Sequence, residues 1–230
     1  MKAFILCGGF GTRLRSAIGE MQKAVARING RPFLDLVVEQ LGQAGIRDLV
    51  FCTNYRADQV DQVIAALDGE PAYHAVSVRE ATPLGTGGAI LNALHVQSYR
   101  GRFIVLNADT YLDANAYHVA AAAQAPVLLV TAVDDVSRYG AVELDDTRRV
   151  VSIHEKGKMG PGLISTGVYG FDSDMLVGFQ VRNTSMEREI LPRLIERGML
   201  KAERYDGPFL DIGTPESLLK MREHGVEKEQ

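Results

Sequence analysis

The chain has 230 residues, 46% of them hydrophobic and 23% charged, with a net charge of −4. It is apolar enough to bury a sizeable core. No Lys/Arg run is long enough to form the basic stripe of a nucleic-acid surface, so no nucleic-acid partner is expected and any phosphate site must be local. Cys7 and Cys52 lie in apolar runs and read as buried thiols rather than a disulfide, and no zinc spacing is present. The apolar run Ala3 to Cys7 is too short for a signal peptide and no stretch could span a bilayer, which gives the expectation of a cytoplasmic protein with no membrane partner.

In chain order, "KAFILC" (2–7) reads as a buried strand. "PFLDLVVEQLGQAG" (32–45) reads as a helix that puts Leu34, Val37, Val38 and Leu41 on one face and stops at Gly45. "RDLVFCT" (47–53) is the next strand, and "RADQVDQVIAAL" (56–67) is a helix with Val60, Val63, Ile64 and Leu67 inward. "HAVSVRE" (74–80) alternates as a strand does, "TGGAILNAL" (86–94) is helical, and "RFIVLNAD" (102–109) is a further apolar strand. Alternating strands and helices imply βαβ units and a parallel sheet.

The second half changes character. "YGAVELD" (139–145) and "RRVVSIHEK" (148–156) flank Asp146-Thr147 as a hairpin, and "GLISTGVYGF" (162–171) is another strand. "TSMEREILPRLIERG" (184–198) predicts one helix capped by Thr184 or Ser185 and stopped by Gly198. A short strand, "PFLDIG" (208–213), and a helix from Thr214 finish the chain. No repeat or Gly/Ser linker divides it. The reading is one α/β domain, Rossmann-like, with a mostly parallel sheet flanked by helices and antiparallel additions in the second half.

In open α/β sheets ligands sit at the carboxyl ends of the strands, and three loops there are unusual. "CGGFGTRLRS" follows the first strand. It fails the dinucleotide fingerprint, because Leu14 stands where the third glycine should be, and the Walker pattern is absent from the chain. What remains is a glycine loop whose N–H groups can approach phosphates, with Arg13 as a fixed cation and Lys23 ten residues on. A tight turn with surface arginines is the plainer alternative. "REATPLGTGGAIL" places Gly85, Gly87 and Gly88 at a helix start, where free N–H groups and the positive helix end favour an anion. It too could be no more than a helix start. In "VLNADTYLD", Asp109 ends an apolar strand and suits Mg²⁺, which takes one or two carboxylates plus phosphate oxygens. Asp211 in "FLDIGTPE" is placed similarly. For both, a capping or turn aspartate is the common alternative. Glu155 and Lys156 end a strand, as solvated charges often do. The five histidines form no metal or triad spacing.

Taken together, "LCGGFGTRLRS" with Lys23, "PLGTGGAI", "LNAD", "RYGAVELD", "HEK", "STGVYGF" and "FLDIGTPE" resemble the sugar-1-phosphate nucleotidyltransferases over nearly the whole chain. The motifs look most like the branch that guanylylates D-glycero-α-D-manno-heptose 1-phosphate for bacterial capsule or surface polysaccharide. The resemblance implies transfer of GMP from GTP to a sugar 1-phosphate, release of pyrophosphate and Mg²⁺ as cofactor. It implies a nucleotide-binding half (1–112) and a sugar-phosphate-binding half (113–230). Arg13, Lys23, Asp109 and Asp211 match the catalytic set, with Asp109 and Asp211 as the metal pair. Leu6, Cys7, Gly8, Gly9, Gly11, Thr12, Arg13, Pro83, Gly85, Thr86, Gly88 and Asn107 fall around the nucleotide. Asp109, Tyr139, Gly140, Glu155, Lys156, Thr166 and Gly167 fall around the sugar phosphate. Glu80 is a separate inference from chemistry: a carboxylate there can accept from guanine N1–H and its amino group.

One departure stands out. The family usually reads Pro-Lys-Pro where this chain has Gln22-Lys23-Ala24, which frees the loop in unfolded and unliganded states. "NAD" for the commoner "NGD" is milder. The competing readings are a mannose-1-phosphate guanylyltransferase, a UTP-dependent (amino)sugar-1-phosphate uridylyltransferase, and a catalytically silent nucleotide-sugar sensor. A homodimer is compatible with all of them, with no interface legible in the sequence.

Overall fold

The computed structural model describes residues 1–67, 72–154, 157 and 159–224. Strand β1 (Lys2–Leu6) leads through a 3-10 turn (Thr12–Leu14), helix α1 (Arg15–Ile18) and a second 3-10 turn (Lys23–Val25) to the short pair β2 (Arg27–Ile28) and β3 (Arg31–Pro32). Then follow α2 (Phe33–Gln43), β4 (Asp48–Thr53), α3 (Ala57–Ala65), β5 (His74–Arg79), α4 (Gly85–Val96) and β6 (Arg102–Asn107). The second half contains β7 (Thr110–Tyr111), α5 (Ala114–Ala122), β8 (Val127–Val133), β9 (Ala141–Leu144), β10 (Val150–Ile153) and β11 (Gly162–Asp172). It closes with a π-helical turn (Met186–Ile190), α6 (Leu191–Glu196), β12 (Lys201–Arg204), β13 (Leu210–Asp211) and α7 (Pro215–His224).

The main sheet runs β10-β9-β11-β6-β1-β4-β5, with β8 on β11 and β12 on β8. β6, β1, β4 and β5 are mutually parallel, and β11 joins β6 antiparallel. Because successive strand residues face opposite ways, Ala3 and Ile5, Leu49 and Phe51, and Ile104 and Leu106 pack on one face with Phe33, Leu34, Leu41, Val60 and Tyr117. Phe4, Val50, Phe103 and Val105 pack on the other with Ile90, Leu94, Leu191 and Leu194. Helices α2, α3 and α5 cover the first face and α4 and α6 the second. Each fully buried aliphatic side chain stabilises this arrangement by roughly 1.5–3 kcal/mol.

The chain winds outward from β1 through β4 to β5, then returns to lay β6 on the other side of β1. The strand order therefore reverses between β1 and β6, where Leu6 pairs with Asn107. This is the crevice in which an open α/β sheet binds its ligand.

The structure differs from the sequence reading in the second half. Helix α5 and strands β8 and β12 have no counterpart in it. α5 is a run of alanines with little contrast between its faces, so periodicity is nearly silent there. β8 and β12 pair with each other in parallel, a long-range choice that no local pattern announces. The expected helix over 184–198 is split. Pro192 has no N–H to donate to the preceding turn, and the chain widens into a π turn, with Ile190 N–H on the Ser185 carbonyl. Ser185 is the cap. The expected strand over 208–213 is only β13, two residues paired with β7.

Candidate active site

A cavity of about 370 Å³ opens at the carboxyl ends of β1 and β6. The glycine loop supplies Gly8, Gly9 and Phe10; the second 3-10 turn supplies Gln22, Lys23 and Ala24; the segment before α4 supplies Glu80, Pro83, Gly85 and Thr86; and the end of β6 supplies Asn107, Ala108 and Asp109.

The charged centre is an ion pair between Lys23 Nζ and Asp109 Oδ2, with side chains 16% and 31% exposed. Asp109 sits in the tight connection from β6 to β7. Its carbonyl accepts from Ile212 N–H at 3.0 Å, and the next residue, Thr110, is paired with Asp211 across the β7–β13 ladder. A two-residue strand pair thus brings two carboxylates that are far apart in the chain to one edge. Asp211 Oδ1 accepts from Gly213 N–H at 2.6 Å, while Oδ2 receives Arg138 at 3.4 Å and the Tyr139 hydroxyl at 3.5 Å. Among the described residues no group of three or more His, Cys, Asp or Glu side chains could hold a metal. Two acids brought together in this way are the donor type that suits a hard cation, which takes the rest of its shell from phosphate and water.

Glu80 marks another wall of the cavity. It is buried, and Oε2 accepts from Leu84 N–H at 2.7 Å. Oε1 faces Gly8, where an added Cβ would lie 3.0 Å away. Desolvation raises the Glu80 carboxyl above its ordinary value, and the Leu84 hydrogen bond partly opposes this.

The first turn of α4 corrects the expectation of free N–H groups. Leu84 N–H is taken by Glu80, and the N–H groups of Gly87 and Gly88 both donate to the Thr184 carbonyl, at 2.9 and 3.1 Å. The glycines serve close packing here: a Cβ on Gly88 would lie 2.1 Å from the Arg182 carbonyl oxygen. Gly85 and Thr86 remain on the cavity wall, and the Thr86 hydroxyl donates to Glu187 at 3.0 Å.

The matching family model, Nucleotidyl transferase, covers residues 2–228. The chain belongs to the nucleotidyl transferase family. It is 32% identical over 219 residues to a D-glycero-alpha-D-manno-heptose 1-phosphate guanylyltransferase of Campylobacter jejuni, covering 94% of this chain and 96% of that protein. It is 32% identical to a mannose-1-phosphate guanylyltransferase catalytic subunit beta of Danio rerio, of whose length it spans 63%. Among solved structures, HddC from Yersinia pseudotuberculosis complexed with GMP-PN superimposes with a TM-score of 0.83 at 34% identity, over 96% of this chain and 98% of that one. The chain is thus an α/β nucleotidyltransferase whose sheet, helices and antiparallel additions match its relatives' fold.

Within this nucleotidyl transferase, Leu6, Gly8, Gly9, Lys23, Glu80, Pro83, Gly85, Thr86, Asn107 and Asp109 share the cavity wall. Other expected residues do not line it. Gly11, Thr12 and Arg13 continue the glycine loop outward, with Thr12 and Arg13 exposed. Cys7 is buried in the sheet and burial pushes its thiol up; its carbonyl serves Gln22. Gly88, in the first turn of α4, packs against the Arg182 carbonyl. Tyr139 and Asp211 lie together beside Phe209, and Gly140 is pressed against the His154 carbonyl. Thr166 is turned into the sheet, its buried hydroxyl donating to the Leu129 carbonyl at 3.0 Å. Gly167, at φ +79°, sits at the bend where β11 passes from β9 to β6, and its missing side chain leaves room for Asn107 Nδ2. Glu155 and Lys156 lie outside the described residues.

Sequence reasoning assigned no role to Phe10, Ala89, Ala108 or Glu187, which also line the cavity. Only the π turn brings Glu187 there, and no local signal marks it. No helix among the described residues is long and apolar enough to cross a membrane.

Proposed function

We propose that this nucleotidyltransferase moves a guanylyl group from GTP to a sugar 1-phosphate, with D-glycero-α-D-manno-heptose 1-phosphate, the acceptor named for the Campylobacter jejuni relative that matches over nearly the whole of both chains, as its acceptor. The observation that carries the reading is one cavity walled by both a buried carboxylate, Glu80, and the Lys23–Asp109 pair. Guanine presents two adjacent donors, N1–H and its amino group, and a carboxylate is the side chain that accepts from both. Uracil and adenine lack that donor pair.

The acceptor's phosphate oxygen attacks the α-phosphorus of GTP. The new bond is oxygen to α-phosphorus, and the bond that breaks is from α-phosphorus to the oxygen bridging to the β-phosphate, which departs with pyrophosphate. The nucleophile is already anionic, so no general base is required. The cavity's task is to hold two anions together and stabilise the spread charge. Lys23 supplies a cation at the phosphates, and Arg13, on the outward glycine loop, serves the departing pyrophosphate. Asp109 and Asp211 would hold Mg²⁺, which when bound neutralises phosphate charge. The family resemblance supports Tyr139, Gly140, Glu155, Lys156 and Gly167, together with Asp109, as the residues that would take the sugar phosphate.

Pyrophosphate release with GTP, Mg²⁺ and heptose 1-phosphate tests the reaction. No release with any sugar 1-phosphate would sink it. Mannose 1-phosphate is the second acceptor to try, given the similarity to mannose-1-phosphate guanylyltransferases.

A further inference from the structure

Lys23 begins a single 3-10 turn, Lys23–Val25. So short a segment has too few internal hydrogen bonds to hold a long side chain in place. The restraint comes from its neighbours. Gln22 is only 2% exposed, and its amide works at both ends: Nε2 donates to the Cys7 carbonyl just past β1 at 2.5 Å, and Oε1 accepts from Ala24 N–H. The backbone N–H of Gln22 donates to Oε1 of Gln59, in the first half of α3, at 2.7 Å. The peptide before Gln22 is therefore tied to α3, and the peptide after Lys23 is tied through the Gln22 side chain to the end of β1. On its other side the turn rests on the glycine loop, where a Cβ on Gly11 would lie 3.3 Å from Lys23 Cβ.

We propose that Gln22 and Gln59 are positioning residues for Lys23, holding the lysine turn so that its ammonium meets Asp109 and faces the phosphates in the cavity. This rests on the phosphate role of Lys23 proposed above. The bracket does by hydrogen bonding what rigid flanking residues could do by restricting the backbone. It requires an N–H donor at position 22 and an acceptor at position 59. Its value is preorganisation: a cation that must match a transition state loses most of its effect when displaced by an ångström.

The test separates the hydrogen bond from mere packing. Gln59→Leu keeps the bulk and removes the acceptor, whereas Gln59→Glu keeps the acceptor. With pyrophosphate release from GTP, Mg²⁺ and a sugar 1-phosphate as the assay, Gln59→Leu should lower kcat about tenfold, with KM for GTP changed less than about twofold. Gln59→Glu should stay near the wild-type kcat. Gln22→Glu, which sets a carboxylate against the Cys7 carbonyl, should match the loss in Gln59→Leu and serves if that variant folds poorly. In a Lys23→Met background, Gln59→Leu should cost nothing further. Equal losses in the Leu and Glu variants at 59, or additive losses with Lys23→Met, would overturn the proposal. If Lys23→Met alone turns over like the wild type, it is the phosphate role of Lys23 that fails, and the bracket's purpose fails with it.

Discussion

Lys23 and Asp109, far apart in the chain, meet as an ion pair at the carboxyl end of the β1–β6 crevice. A cation and an acid that complement each other here are also the groups a nucleoside triphosphate and its metal would engage separately. Asp109→Asn should therefore abolish pyrophosphate release, by at least about a hundredfold, while leaving the fold intact because the site is partly open to water. Asp211→Asn should raise the Mg²⁺ concentration needed for half-maximal rate. A variant at either position with an unchanged Mg²⁺ titration would remove that acid from the metal pair.

On the proposed reading Glu80 is the side chain that selects the base. Glu80→Gln replaces an all-acceptor group by one oxygen and one donor, which clashes with guanine's paired donors. Affinity for GTP should fall about ten- to a hundredfold, and affinity for ATP should change little. Calorimetric titration of both nucleotides reads this directly. Equal losses for the two would argue for a general packing defect.

The same residue gives a pH signature. Burial raises the Glu80 carboxyl, so between the ordinary carboxylate value and the raised one the folded protein holds a proton that the unfolded chain has released. Stability from this group is then greatest below the window and falls as pH rises through it. The proposed base recognition runs the other way, since it is the ionised form that would accept from guanine. Acidification through the window should weaken GTP binding while easing the strain of the buried charge. In Glu80→Gln both pH dependences should flatten, as urea unfolding and GTP titration across mildly acidic to neutral pH would show.

Gly88→Ala tests the packing under α4. With the Arg182 carbonyl 2.1 Å from the position of the new Cβ, α4 and the 182–184 segment must separate. The expected loss is about 1–3 kcal/mol or more by denaturant unfolding, with weaker GTP binding because Gly85 and Thr86 move with the helix. Unchanged stability would show that this contact yields easily.

Tyr117→Phe should go the opposite way. The Tyr117 hydroxyl is buried with no hydrogen-bond partner among the described residues, and burial pushes its phenol up. Deleting the oxygen removes an unmet desolvation cost, so stability should hold or rise by up to about 1 kcal/mol. A clear loss would reveal a partner for that hydroxyl.

The sequence by itself determined the parts governed by near neighbours. Continuous apolar runs marked β1, β4 and β6, which are buried on both faces of the sheet, alternation marked β5, and helical spacing marked α2, α3 and α4, which each bury one face against it. The glycine loop, Glu80 and Asp109 were legible because they lie at strand ends, where an open sheet exposes its ligand crevice, while Lys23, in a turn well past β1, was picked out by the family resemblance. Tertiary structure decided the rest. That Asp211 stands beside Asp109 depends on a two-residue ladder between β7 and β13, and such pairing has no local signature. That the N–H groups of Gly87 and Gly88 are occupied depends on the Thr184 carbonyl, delivered by a segment nearly a hundred residues away. The Thr166 hydroxyl is taken by the Leu129 carbonyl of β8, the neighbouring strand in the sheet. The turn at Gln22-Lys23-Ala24 looked unbraced in sequence because its brace is Gln59, on another helix. Hydrogen bonds between distant segments carry no periodicity, so only the folded chain shows where those donors and acceptors go.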